Sequence, residues 1–150
     1  MKSKEYFMRK ALKEAEKALA IDEVPIGCVI VLNDKIIARA HNVKETTNNP
    51  CGHAEILAIQ KACKKFNNWR LENCDIYVTI EPCIMCVGAI IQSRLHSVFY
   101  GSKDFKGGAF GSSINILESK NINHRPYIEG GVLEEKCSSI ISNYFKSKRK

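Results

Sequence analysis

Apolar residues recur at three- and four-residue intervals near the start of the chain, where Phe7, Ala11, Leu12, Ala15, Ala18 and Leu19 fall on one face between Lys4 and Ala20. That spacing predicts an amphipathic helix. After Pro25 the pattern changes: IGCVIVL is a short run rich in β-branched residues, Asn33 and Asp34 interrupt it, and IIARA follows. Two such runs around a turn predict a hairpin. Residues 41–52, HNVKETTNNPCG, keep neither period and are expected as a loop. From His53, HAEILAIQKACKKF returns to helical spacing, and DIYVTI at 75–80 reads as the next strand.

Pro82 suits the first position of a helix, so PCIMCVGAIIQSR is expected as a largely buried helix leaving that strand directly. SVFYG and YIEGGV predict a fourth and a fifth strand, and the glycines at 107, 108 and 111 mark a flexible loop between them. Residues 134–147 predict a closing helix that runs into the basic tail KSKRK. No linker, internal repeat or low-complexity tract divides the chain, so residues 1–150 are expected to form one domain. Strands alternating with helices predict an α/β fold in three layers, α-β-α, with a mixed sheet of about five strands covered by helices. In such folds, sites are built where strands end and helices begin.

Composition narrows the setting. A chain of 150 residues with 45% hydrophobic residues can bury a substantial core. No stretch is long and apolar enough to cross a membrane, and the charged first twenty residues lack the apolar core of a signal peptide, so a cytoplasmic protein with no membrane partner is expected. Seven cysteines, an odd number, then argue for reduced thiols rather than a disulfide framework. The formal charge of +7 favours a polyanionic partner such as nucleic acid, although charge alone says nothing about chemistry.

Two clusters carry candidate chemistry. NPCGHAEILAI contains His53 and Glu55, and EPCIMC contains Cys83 and Cys86. The two cysteines, three apart at a helix start, project from one face, and the helix N-terminus favours the thiolates that bind metal. His53 supplies a third donor, and a set of two sulfurs and one nitrogen selects zinc. A redox Cys-x-x-Cys pair is the rival reading, but it leaves HAE without a role. Glu55 decides between scaffold and enzyme, because a structural zinc site needs no carboxylate beside a ligand whereas hydrolysis needs a group that moves protons. Zinc makes hydroxide accessible near pH 7, and Glu55 can pass a proton to a ring nitrogen and then to a leaving amine. The order H-x-E then P-C-x-x-C is the known signature of zinc nucleobase deaminases, and His53, Glu55, Pro82, Cys83 and Cys86 fill it.

Nearly the whole chain resembles the bacterial tRNA-specific adenosine deaminases, of the cytidine deaminase-like superfamily. The stretches that carry the resemblance are EVPIGCVIV, ARAHNVKE, HAEILAI, YVTIEPCIMCVGAI, VFYGSKDFKGGAFGS, NHRP and GGVLEEKCS. It implies a homodimer with one zinc ion per subunit that converts the wobble adenosine in the anticodon of an arginine tRNA to inosine. By the same resemblance, His53, Cys83 and Cys86 are the ligands and Glu55 the proton shuttle. Asn42 matches an asparagine that contacts the flipped base, and Asp104 an aspartate near the RNA backbone. The loop 102–111 would line the anticodon channel, and NYFKSKRK resembles a C-terminal helix that meets the RNA, with Tyr144 where phenylalanine is frequent. Relatives usually carry threonine and alanine where this chain has Cys51 and Gly52, so Cys51 is expected to be a bystander.

Other residues have plainer expectations. His41, His96 and His124 are expected to pack or hydrogen-bond, and Phe66 and Trp69 to pack. An enzyme of the same fold acting on a free base or nucleoside, and a non-catalytic RNA-binding zinc module, are the alternatives. Neither the basic balance nor Glu55 has an evident use in both of them.

Overall fold

The computed structural model describes residues 1–149, and Lys150, the last residue of the basic tail, lies outside it. Helix α1 spans Lys4–Ala20, the range that its periodicity predicts. Ser3 caps it, its Oγ accepting the Tyr6 N–H at 3.1 Å. The hairpin follows as β1 (Gly27–Leu32) and β2 (Lys35–His41). It turns through Asn33 and Asp34 at φ 50° and 66°, which matches the twist of the flanking strands.

The remaining elements are α2 (Ala54–Phe66), β3 (Asp75–Ile80), α3 (Ile84–Gln92), β4 (Ser97–Ser102), β5 (Tyr127–Glu129) and α4 (Glu134–Lys148), with a single 3₁₀ turn at Ile116–Glu118. The sheet order is β2-β1-β3-β4-β5. β1 runs antiparallel to both β2 and β3, whereas β3, β4 and β5 are parallel, so the sheet is mixed as expected.

Period-two alternation divides the core between the two faces. Val29, Val31, Tyr77 and Phe99 face α1 and α4, through Phe7, Met8, Ala11 and Cys137. Cys28, Ile30, Ile76, Val78 and Val98 point the other way, onto Ala58 and Ala62 of α2 and Val87 and Ile90 of α3. This gives the three α-β-α layers, and each fully buried Ile or Val contributes about 1.5–3 kcal/mol. At Gly27, a Cβ would overlap the Ala11 carbonyl oxygen, so α1 packs backbone to backbone on the first residue of β1. Among the described residues no helix is long and apolar enough to cross a membrane.

The structure departs from expectation in three places. Pro82 is not the first helical residue: Cys83 is the N-cap in an extended conformation and α3 begins at Ile84. The reason is a pairing across the chain, in which the Pro82 carbonyl accepts the Ala109 N–H at 2.9 Å and Cys83 bridges to Gly108. β5 stops at Glu129 because Gly131 turns away at φ 85°. Phe66 and Trp69 do not pack: they are 38% and 55% exposed, and the Trp69 ring is faced by the guanidinium groups of Arg70 and Arg94 at 4.6 and 5.8 Å.

Candidate metal centre

His53 is the N-cap of α2 and Cys83 the N-cap of α3, and neither side chain caps its helix. Both instead turn toward one point beside the sheet, where His53 Nδ1 lies 3.6 Å from Cys83 Sγ and 3.5 Å from Cys86 Sγ. All three donor atoms lie within 4.8 Å of one another. A tetrahedral zinc ion about 2.3 Å from sulfur and about 2.0 Å from nitrogen separates two such donors by about 3.5 Å, so the residues fit that metal.

The two cysteines push each other's proton affinity in opposite directions. Cys83 is pushed down to about 4, chiefly by the Cys86 thiol donating to it and then by His53, against the opposing effect of burial. Cys86 holds the proton and is pushed up. Contact with Cys83 raises His53, with burial opposing. A divalent cation would displace these protons, because coordinated thiols are deprotonated.

Glu55, the second residue of α2, is only 3% exposed. Burial pushes its carboxyl up to about 7, while the positive charge of His53 pulls the other way. A cavity of about 160 Å³ opens at His53 and Ala54, the two residues before Glu55, with Val24, Ile26, Asn42 and Lys44 also in its walls. Asn42 is buried, its Nδ2 donating to the Val24 carbonyl at 3.2 Å and its Oδ1 accepting the Lys44 N–H at 3.1 Å. Cys51 is exposed and is not part of the three-donor group; its N–H donates to Asn49 Oδ1 at 2.9 Å within the preceding turn.

Asp104 lies apart from these residues, on the wall of a second cleft of about 600 Å³ that shares Val24 and Ile26 with the first. Its Oδ1 accepts the N–H groups of Lys106 and Gly107, both at 3.1 Å, which folds the loop on itself. Phe105, Lys106, Phe145 and Arg149 line the same cleft. The closing helix is fixed there from behind: the Tyr144 hydroxyl donates to the Asp22 carbonyl at 3.2 Å and Lys148 Nζ to Asp22 Oδ2 at 2.6 Å. The expected packing histidines are accounted for. His124 meets the Leu95 carbonyl at 2.7 Å, His96 the Ser97 hydroxyl at 2.7 Å, and His41 lies 3.6 Å from Glu14.

The chain matches the MafB19-like deaminase family over residues 2–149. It is 47% identical over 150 residues to the tRNA-specific adenosine deaminase of Bacillus subtilis (strain 168), covering 100% of this chain and 93% of that protein. With the tRNA-specific adenosine deaminase of Aquifex aeolicus (strain VF5) it shares 45% over 146 residues, 97% of this chain and 96% of that one. The chain belongs to the tRNA-specific adenosine deaminase family. A solved structure from a study of A-to-I editing by tRNA:A34 deaminases at the wobble position of transfer RNA matches this family member with a TM-score of 0.87 and 41% identity, over 90% of this chain and 98% of that one.

Sequence reasoning misses two buried glutamates of this deaminase, Glu23 and Glu81, each 1% exposed. Glu23 accepts the N–H groups of Glu45 and Thr46 at 3.2 and 2.5 Å and the Thr46 hydroxyl at 2.6 Å, so it fixes the 41–52 loop beside the cavity. Glu81 does the same for the 104–112 loop. That loop, which its glycines mark as flexible, is thus hydrogen-bonded at three of its residues to one buried carboxylate. Gly108 answers a packing demand, since a Cβ there would overlap the Glu81 carboxyl group. No local pattern marks either glutamate, since the donors they bind lie 22 to 31 residues away.

Proposed function

We propose that the protein is a zinc-dependent hydrolase that converts the wobble adenosine of an arginine tRNA anticodon to inosine. The observation that carries this reading is a three-donor group whose His53 lines a small cavity, with the buried Glu55 carboxylate two residues on and a larger, basic-rimmed cleft that shares Val24 and Ile26 with that cavity. A three-donor set leaves one position of a tetrahedral ion for chemistry.

His53, Cys83 and Cys86 would hold one zinc ion per subunit. Bound there, zinc supplies Lewis acidity and makes hydroxide accessible near neutral pH. Glu55 is the proton carrier: its buried carboxylate takes one proton from the attacking water to the purine ring nitrogen, then a second, from the newly added hydroxyl, to the departing amine. Asn42, in the cavity wall, contacts the base, and its hydrogen bonds to the chain on either side keep its amide oriented.

The base must leave its stack to enter the small cavity, which costs little in an anticodon loop where bases are already splayed. Lys103, Lys106 and Arg149 on the larger cleft, and Lys44 on the cavity, supply positive charge for the phosphates. Asp104 sits near the RNA backbone at the turn that presents Lys106. A free base would need no such rim.

The chain acts as one domain, in the cytoplasm, as a homodimer. The free thiols of all seven cysteines suit a reducing compartment.

The test is incubation of purified zinc-loaded protein with an arginine-tRNA anticodon stem-loop, with adenosine, cytidine and guanine as controls, followed by nucleoside analysis. Inosine at the wobble position alone is the expected result. Turnover of a free base or nucleoside with an untouched stem-loop would defeat the proposal.

A further inference from the structure

The Glu81 carboxylate accepts four hydrogen bonds from a single loop. Oε1 takes the Asp104 N–H at 3.2 Å and the Ser112 hydroxyl, and Oε2 takes the Phe110 N–H at 3.0 Å and the Ser112 N–H at 3.2 Å. Its own N–H donates to the Ser102 carbonyl at 2.8 Å, so the main chain of Glu81 is fixed to the end of β4, from which the loop departs. The side chain is 1% exposed.

A buried carboxylate is costly unless its lone pairs are filled, and here one loop fills them. The Asp104, Phe110 and Ser112 donors are 23 to 31 residues away in sequence, so the contact ties distant segments together. Only Pro82 separates Glu81 from Cys83, and Cys83 itself bridges to Gly108 in the same loop. The loop carries Asp104, Phe105 and Lys106 into the larger cleft. Its placement relative to the candidate metal ligands is therefore set by one short segment, in which the Glu81 side chain binds three residues of the loop and the main chain of Pro82 and Cys83 pairs with Ala109 and Gly108.

We propose that Glu81 is a positioning residue that fixes the 104–112 loop in register with the metal centre and so sets how the RNA, rather than the reacting base, is held. The inference rests on the proposed tRNA substrate for its kinetic consequence. The anchoring itself does not depend on it.

Two variants test it. Glu81→Gln keeps the shape but replaces one acceptor with a donor facing N–H groups, and Ser112→Ala removes one hydrogen bond with little disturbance. For zinc-loaded E81Q on the stem-loop, KM should rise about tenfold while kcat falls less than about threefold, with zinc content unchanged. Trypsin cleavage after Lys103 and Lys106 should accelerate about tenfold. S112A should move both readouts the same way, by about threefold, and it decides the matter if E81Q does not fold. Unchanged KM and unchanged cleavage, or a fall in kcat at constant KM, would overturn the assignment. If the wild-type protein leaves the stem-loop untouched, the proposed substrate is wrong, and proteolysis alone still decides whether Glu81 anchors the loop.

Discussion

His53 and Cys83 occupy the same position on two different helices: each is an N-cap, each is extended, and their donor atoms meet at 3.6 Å instead of capping. Residues at N-caps are normally Ser, Thr, Asp or Asn, whose oxygens satisfy the first free N–H groups. Here the helix starts instead bring two candidate ligands together, carried on two helices that pack on one face of the sheet.

That arrangement predicts a metal centre with three indispensable donors. Cys83→Ala should lose zinc and inosine formation together. Cys51→Ser should keep about one zinc ion per chain and activity within about twofold, because its exposed thiol stands outside the donor group. Metal analysis of the two purified variants checks both halves, and loss of zinc from C51S would show a fourth ligand.

Glu55 separates chemistry from binding. Glu55→Gln should slow inosine formation by about 10²- to 10⁴-fold, the usual contribution of a positioned acid or base, and leave zinc content intact. Single-turnover rates on metal-loaded protein measure it. A loss under about threefold would remove Glu55 from the proton path.

Helix periodicity placed α1 over its observed span, and the H-x-E and P-C-x-x-C spacings included the three residues, His53, Cys83 and Cys86, that meet at the candidate centre. Those features are local, so sequence can display them. Strand order is not local: β1 sits between β2 and β3 because both of its edges find partners, and nothing in GCVIVL states which. Glu23 and Glu81 were illegible for the same reason, since their donors come from 22 to 31 residues away. Trp69 misled because size and apolarity suggest packing, whereas two neighbouring guanidinium groups cover its faces in the open.

Positive charge on the larger cleft predicts a salt-dependent affinity. Lys106→Ala and Arg149→Ala should each weaken stem-loop binding and lower the slope of log K against log salt by about one, without changing zinc content. Fluorescence anisotropy across a salt series on the E55Q background measures binding alone. Slopes equal to that of the E55Q parent would place the RNA elsewhere.

Glu23 predicts a pH-dependent stability. Burial pushes its carboxyl up, but hydrogen bonds from Thr46 and Glu45 outweigh burial and hold it below its ordinary 4.5. A group whose folded value is lowered contributes stability that is fully present above the unfolded value and is lost as pH falls through the folded one. Glu23→Gln should therefore cost about 1–3 kcal/mol at pH 7, where the wild-type carboxylate is charged and accepts three hydrogen bonds. The gap between wild type and variant should narrow as pH drops below about 4.5, because the wild-type group then protonates as well. Urea titrations of both proteins at several pH values measure it, and a gap that stays constant into acid would mean that the charge on Glu23 is not what holds the 41–52 loop.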